Sequence, residues 1–338
     1  PLSQFPGPLA HGPPPGRPVG SHGAVHGYLL RRSLTFLITL GLAAALSYLV
    51  LLVLPGDPAQ VMLGLDPSPE ALAAWRRQLG LDRPPLSRFA AWLARAVQGD
   101  LGTSLIYRVP VRELIGAGLA VTLPLVAGSM LLACLIAVPL GTWAAVRRDG
   151  LAGWVVSGAT ALGQAIPSFA LGLLLMSGFA VRLGWFPAGG FPPWSQGLLP
   201  AGRALILPMV ALAAGRAASL ARMIRAGLVE VLRAEYVRTA RGKGLPALRV
   251  LTRHALRNSL IPVLTLAGTE FTQLLAGSVV VENLFALPGL GSLAFQAIGA
   301  RDLPLLQGIV LVMAAAVLLT SLLLDILYAV VDPRVRYP

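Results

Sequence analysis

The stretch EVLRAEYVRTARGKGLPALRVLTRHALRN, Glu230 to Asn258, decides how the rest of the chain is arranged. It lies between two strongly apolar regions. Yet the wider segment Arg216 to Arg257 holds ten Lys/Arg against two acids, Glu230 and Glu235. Basic loops beside membrane spans are retained on the cytoplasmic side, so this one is expected in water there. Its middle breaks at Gly244-Leu245-Pro246 into two predicted short helices. Glycine permits a tight exit from a helix, and proline two residues later suits the first turn of the next. A helical elbow standing out of a membrane is a handle for a partner.

Composition points the same way. Of 338 residues, 56% are hydrophobic and only 12% charged, against about a quarter charged in a soluble domain. The net charge of +13 is gathered in one loop, without the aromatic interleaving of a nucleic-acid platform, so no nucleic-acid partner is expected. The single cysteine, Cys134, sits in an apolar run and allows neither an intrachain disulfide nor a cysteine-based metal site.

Outward from the elbow, apolar runs mark about six spans of an all-α membrane protein. The first is Ser33 to Gly56, preceded by the basic pair Arg31-Arg32, with its basic end inside. Leu114 to Val146 is uncharged and contains Pro124 and Pro139, which predicts a long kinked span. Gly150 to Val181 returns outward, interrupted by Pro167. Leu198 to Arg222 is the fourth span, with Arg216 inside it, Leu260 to Val281 the fifth and Leu303 to Leu324 the sixth. Six crossings place both termini in the cytoplasm.

Between the spans, Asp57 to Glu113 is an amphipathic region expected on the extracytoplasmic side. It has surface helices at Ser68–Gly80 and Ser87–Val97, and Trp75 and Trp92 are expected at the interface. The aromatic loop Leu183 to Gly202, with Trp185 and Trp194, is a second interfacial candidate, and Glu282 to Asp302 is expected as an outer loop. Pro1 to Gly27, rich in Pro and Gly, is expected to be a disordered tail ahead of a transmembrane domain over 28–338.

Enzyme chemistry finds no footing in these residues. No GxxxxGK[ST] phosphate cradle, HExxH or GxSxG occurs, and His254 is the only histidine beyond the N-terminal tail. The chain therefore offers no catalytic residues, no metal site and no cofactor of its own.

The central stretch resembles the EAA loop of inner-membrane subunits of bacterial ABC importers, in particular the B-type subunit of the dipeptide/oligopeptide/nickel permease family. The motif's EAA triplet falls on Arg238-Thr239-Ala240, its glycine on Gly244, and its I-x-L-P ending on His254-Ala255-Leu256-Arg257. Arg238 thus replaces the Glu, and Arg257 the Pro. LPGDP (Leu54–Pro58), LGLDRPP (Leu79–Pro85), GDLGTS (Gly99–Ser104), VENLFALPGLG (Val281–Gly291), ARDLPLLQG (Ala300–Gly308) and LLLDILYAVVDPRVR (Leu322–Arg336) follow the family's order and spacing.

The resemblance implies a permease that, with a second homologous permease, forms a path for peptides or similar small solutes in the bacterial inner membrane. It implies two cytoplasmic ATPase subunits, which carry the ATP and Mg, and an extracytoplasmic solute-binding protein. It also implies coupling through the loop 230–258, at Arg238, Thr239, Ala240, Arg241, Gly242, Lys243, Gly244, Leu245 and Pro246.

One intramembrane acid remains. Glu270 falls within the fifth span, where a charge costs about 2.5–3.5 kcal/mol, and helical spacing aligns it with Gln273 and Gly277. It is either part of a translocation path meeting a cationic group of the solute, or a buried carboxylate bonded to a neighbouring helix. The alternative function, an ion-coupled transporter or channel working without an ATPase, needs several such groups at membrane depth and often inverted repeats.

Overall fold

A computed structural model describes residues 22–53, 58–63, 67–78, 80–147 and 151–331. Among them the chain is mainly helical and contains no strand: α1 (His22–Val53), α2 (Pro58–Leu63), α3 (Pro69–Gln78), α4 (Pro85–Val97), α5 (Val111–Val146), α6 (Leu151–Ala165), α7 (Ser168–Leu175), α8 (Leu198–Val231), α9 (Glu235–Gly242), α10 (Ala247–Arg249), α11 (Arg257–Leu284), α12 (Leu290–Gly299) and α13 (Leu303–Val331). Five helices are long and apolar enough to cross a membrane. A sixth crossing is available from α6 and α7, which meet at a 96° bend at Ile166-Pro167. Proline cannot donate to the preceding turn and forces its predecessor out of the helical region, which ends α6 there. The predicted helices within Asp57–Glu113 appear as α3 and α4, at nearly the expected bounds.

Helices α5 and α8 run side by side in one direction and form the axis. Leu125 of α5 clusters with Leu205 of α8, Ala137 with Ala217 and Ala221, and Ala145 with Leu228. α11 runs back against them, with Ala255 just before its start beside Leu228 and its Leu274-Leu275 stretch beside Leu125. Small residues permit this closeness. A side chain at Gly141 would meet the Ala221 carbonyl at 2.7 Å and Ile224 at 2.8 Å, the short backbone approach on which helix association in lipid depends. α8 reaches Val231 rather than stopping near Arg222. Its 34 residues span about 51 Å, well beyond a hydrocarbon core of about 30 Å.

The structure alters several sequence expectations. Residues 22–27, placed in the tail, open α1, while residues 1–21, Leu54–Asp57 and the last seven residues lie outside the described residues. The segment 282–302, expected as an outer loop, contains a packed helix, α12. Its Leu290 and Ala297 are buried with Val111, Ile115 and Leu305. Trp92 is buried inside the protein; its ring stacks on Phe89, which in turn packs on Tyr48 of α1. Trp194 is also bonded rather than merely anchored. Pro124 has no N–H for the Ala120 carbonyl four residues back, and the Trp194 indole N–H donates to that carbonyl instead, at 2.9 Å.

Two fully buried acids hold α12 in place. Glu282 accepts the Thr122 hydroxyl at 2.8 Å and the backbone N–H groups of Gly291 (2.8 Å) and Ser292 (3.1 Å) at the α12 N-terminus. Thr122 Oγ1 in turn accepts Leu290 N–H at 2.8 Å. Asp302 accepts the Ser104 hydroxyl and the N–H groups of Leu105 and Ile106, tying the segment before α5 to the start of α13. It also accepts Leu305 N–H at 3.3 Å, as the N-cap of α13.

Glu282→Ala would strand a hydroxyl and two N–H donors in the interior, each at a cost of about 1–3 kcal/mol. The expected outcome is a thermal midpoint in detergent lowered as for a loss of about 3 kcal/mol or more. The same change at exposed Glu113 leaves the midpoint within about 0.5 kcal/mol of wild type.

Candidate functional site

The basic elbow is built as its sequence suggests at the turn and differently beyond it. In α9, Val237 and Ala240 face inward and cluster with Val250, against which Val231, Leu232 and Leu245 pack. The opposite side, with Arg238, Thr239, Arg241, Gly242 and Lys243, is exposed. Ala240 therefore serves the elbow's own packing, and Gly244 is the small residue left on the surface. At Gly244 φ is +77°, the left-handed conformation that favours glycine, and its N–H bonds to the Arg241 carbonyl at 2.9 Å. Leu245 N–H returns to the Ala240 carbonyl at 3.4 Å, closing the helix end. Pro246 then opens the second arm, with Pro246 and Leu248 exposed and Leu245 half-buried. That arm is no separate short helix. α10 continues through the wider π turns of Val250–Leu256 straight into α11.

The second candidate group surrounds Glu270. Its carboxylate is almost wholly buried, and Arg216 of α8 donates to it at 2.5 Å, completing a salt bridge across the helix pair. The same Arg216 nitrogen, Nη1, donates to the Gln273 side-chain oxygen at 2.8 Å. Of the two readings open for Glu270, the carboxylate bonded to a neighbouring helix describes this geometry. The charged Arg216 that made the fourth span weak by composition and the acid that made the fifth unusual answer each other.

Glu270, Arg216 and Gly277 line a cavity of about 400 Å³, open on one side, which also touches Gln164, Pro167, Ser168, Gly215, Ser219 and Arg222. Its wall thus includes the broken joint between α6 and α7. Arg222 bonds to Gln164 of α6, and Arg225 to the Ser157 hydroxyl at 2.5 Å. No group of three or more potential metal ligands occurs among the described residues. The cavity can hold a polar or charged small molecule between two guanidiniums and a carboxylate.

Three residues went unread in the sequence, two in this wall and one at the start of α13. Arg222 and Gln164 meet across 58 residues, with no local signal. Asp302 was detectable, since an acid followed by Leu303-Pro304 is a helix N-cap pattern.

The description "binding-protein-dependent transport system inner membrane component" fits residues 137–337, and that of the N-terminal part of such components fits residues 25–108. The chain belongs to this family of ABC importer permeases. A peptide transport system permease protein of Brucella abortus (strain 2308) is 41% identical to this permease over 309 residues, 91% of this chain and 98% of that one. A glutathione transport system permease protein of Salmonella choleraesuis is 40% identical over 310 residues, covering 92% and 99%. In structure, the permease resembles a chain of the methionine ABC transporter in inward-facing conformations. The TM-score is 0.54 at 20% identity, over 65% of this chain and 96% of that one, a likeness of fold alone. Permeases of this family are multi-pass transmembrane subunits with no ATPase site and no cofactor of their own, and they work with a partner permease, ATPases and a binding protein.

Removing one member of the Arg216–Glu270 pair leaves the other charge unanswered in the bundle. Arg216→Ala is expected to lose about 3 kcal/mol, the low end for buried pairs because Arg216 borders the cavity. Arg216→Met combined with Glu270→Leu should recover most of that loss. Thermal midpoints of the two purified variants in one detergent check this.

Proposed function

We propose that this permease carries small peptides across the bacterial inner membrane, with the elbow 230–258 on the cytoplasmic side as the seat of an ATPase subunit. Both termini lie on that side, and the Asp57–Glu113 region faces the binding protein. The observation that carries this reading is the elbow itself. A left-handed Gly244 sharpens its corner, and exposed Arg238, Arg241 and Lys243 surround that corner while an apolar underside fixes it to the bundle. Exposed cations on a firmly seated helix suit charge-assisted bonds to acidic groups of a partner. Most of the remaining arginines in the segment set topology.

The ATP and Mg belong to the two ATPase subunits. Their closure moves the elbow, and access alternates between the two faces of a path shared with a second permease. The cavity lined by Glu270 and Gly277, with Gln273 bonded at its edge, is proposed as part of that path's wall. Glu270 acts there as the counter-ion of Arg216 rather than as the group that meets the solute. The peptide assignment leans on the 41% identity to the Brucella protein; the glutathione permease at 40% is consistent with it, since glutathione is itself a small peptide. Among the described residues the ion-coupled alternative finds Glu270 already engaged by an arginine and Glu282 by a hydroxyl and backbone N–H groups, a poor basis for a proton relay.

Gly244→Trp adds a bulky side chain at a corner where any L residue is strained. The expected outcome is membrane insertion at wild-type level, with ATPase subunits co-purifying at least about tenfold less. If assembly survives, ATP hydrolysis should proceed without solute uptake; the tenfold corresponds to one lost contact of about 1.4 kcal/mol. Undiminished uptake by that variant counts against the docking role.

A further inference from the structure

We infer that Arg216 is the group that receives the solute, and that it takes a carboxylate, so the transported peptides carry a free C-terminus. This rests on the peptide-importer reading above and adds to it a recognising residue and a chemical class. The inference comes from how the guanidinium is divided. A single nitrogen, Nη1, makes both bonds of the pair, to Glu270 Oε2 and to Gln273 Oε1. Each terminal nitrogen carries two hydrogens, so these bonds occupy Nη1 fully. The Nε and Nη2 edge has no partner among the described residues. The parallel N–H donors of that edge match the two oxygens of a carboxylate.

The surroundings are consistent with such a guest. Arg216 lines an open cavity of about 400 Å³, within the range that holds small ligands. A second guanidinium, Arg222, lines the same space, so the wall has two cations and the carboxylate of Glu270. Because Arg216 already neutralises Glu270, the remaining fixed charge of the wall is positive and favours an anion. Glu270 and Gln273 are positioning residues in this scheme. They hold one nitrogen and leave the other edge of the plane presented. A merely structural ion pair has no need of a planar cation with one edge unused, and lysine would serve it as well.

The test uses the full transporter in proteoliposomes, with its partner permease, ATPase subunits and binding protein. The probes are trialanine and its C-terminal amide, and the readout is the ratio of their uptake rates. The binding protein is the same in every sample, so a change in the ratio belongs to the permease. Arg216→Lys keeps the charge and the bond to Glu270 but loses the planar fork. It is expected to lower the acid-to-amide ratio about tenfold, the size of one charge-assisted bond. The double variant Arg216→Gln with Glu270→Gln removes both charges together and should bring the ratio near one; it keeps the test alive if the lysine variant does not assemble. An unchanged ratio in whichever variants assemble overturns the inference. Failure of the wild type to take up trialanine overturns it too, yet leaves the importer reading intact so long as ATPase assembly still depends on Gly244.

Discussion

A bundle in lipid gains no hydrophobic drive from bringing helices together, so close backbone contact has to supply the adhesion. Here one helix meets that demand for four of its neighbours. α8 packs against α5, α6, α7 and α11, and its sequence between Ala201 and Ala226 is dominated by alanine, interrupted by Gly215. Ala217, Ala218 and Ala221 are all buried. Leucines at those places would hold the neighbours apart, and the crossing of α5 at Gly141, where a Cβ would sit 2.7 Å from the Ala221 carbonyl, would be lost. The layered core, the bent α6–α7 segment and the cavity at its joint are all arranged around this narrow post.

Among the described residues three acids lie buried, and one of them is answered differently from the other two. Glu282 is held by a hydroxyl and the N–H groups that open α12. Asp302 is held by a hydroxyl and three backbone N–H groups, including its own helix start. Both are answered by dipoles of the chain itself, which suits a permanent clasp. Glu270 alone is answered by a charged side chain of another helix, beside open space. A bond of that kind can be parted by sliding one helix past another, whereas backbone caps part only if the helix end unravels. The contrast separates the two acids that fix the fold from the one proposed to line the transport path.

Most of the fold was legible in the sequence because lipid imposes length and apolarity on each span. The run Leu303 to Leu324 and the charge-free Leu114 to Val146 needed no more than that. The turn at Gly244 was legible because only a narrow set of residues suits a left-handed corner. What stayed hidden depends on partners far apart in the chain. Glu282 looks like a loop acid until Thr122 is brought to it across 160 residues. Trp194 looks like a headgroup anchor until Pro124 leaves a carbonyl unbonded nearby. The break at Gly244-Leu245-Pro246 predicts two short helices, yet the second arm does not stop. The backbone simply carries on, since charged residues with long stems are good helix formers.

The elbow is no appendage hung between two spans. Its first arm leaves α8 through the short turn at Leu232–Ala234, and its second is the beginning of α11. Those are the two helices that grip Arg216 from either side, one by the backbone that bears it and the other through Glu270 and Gln273. Arg216 stands 15 residues before Val231, or about 22 Å up the helix. The arrangement is that of a pair of tongs, with the handles at Gly244 a few turns away from the jaws that hold an arginine.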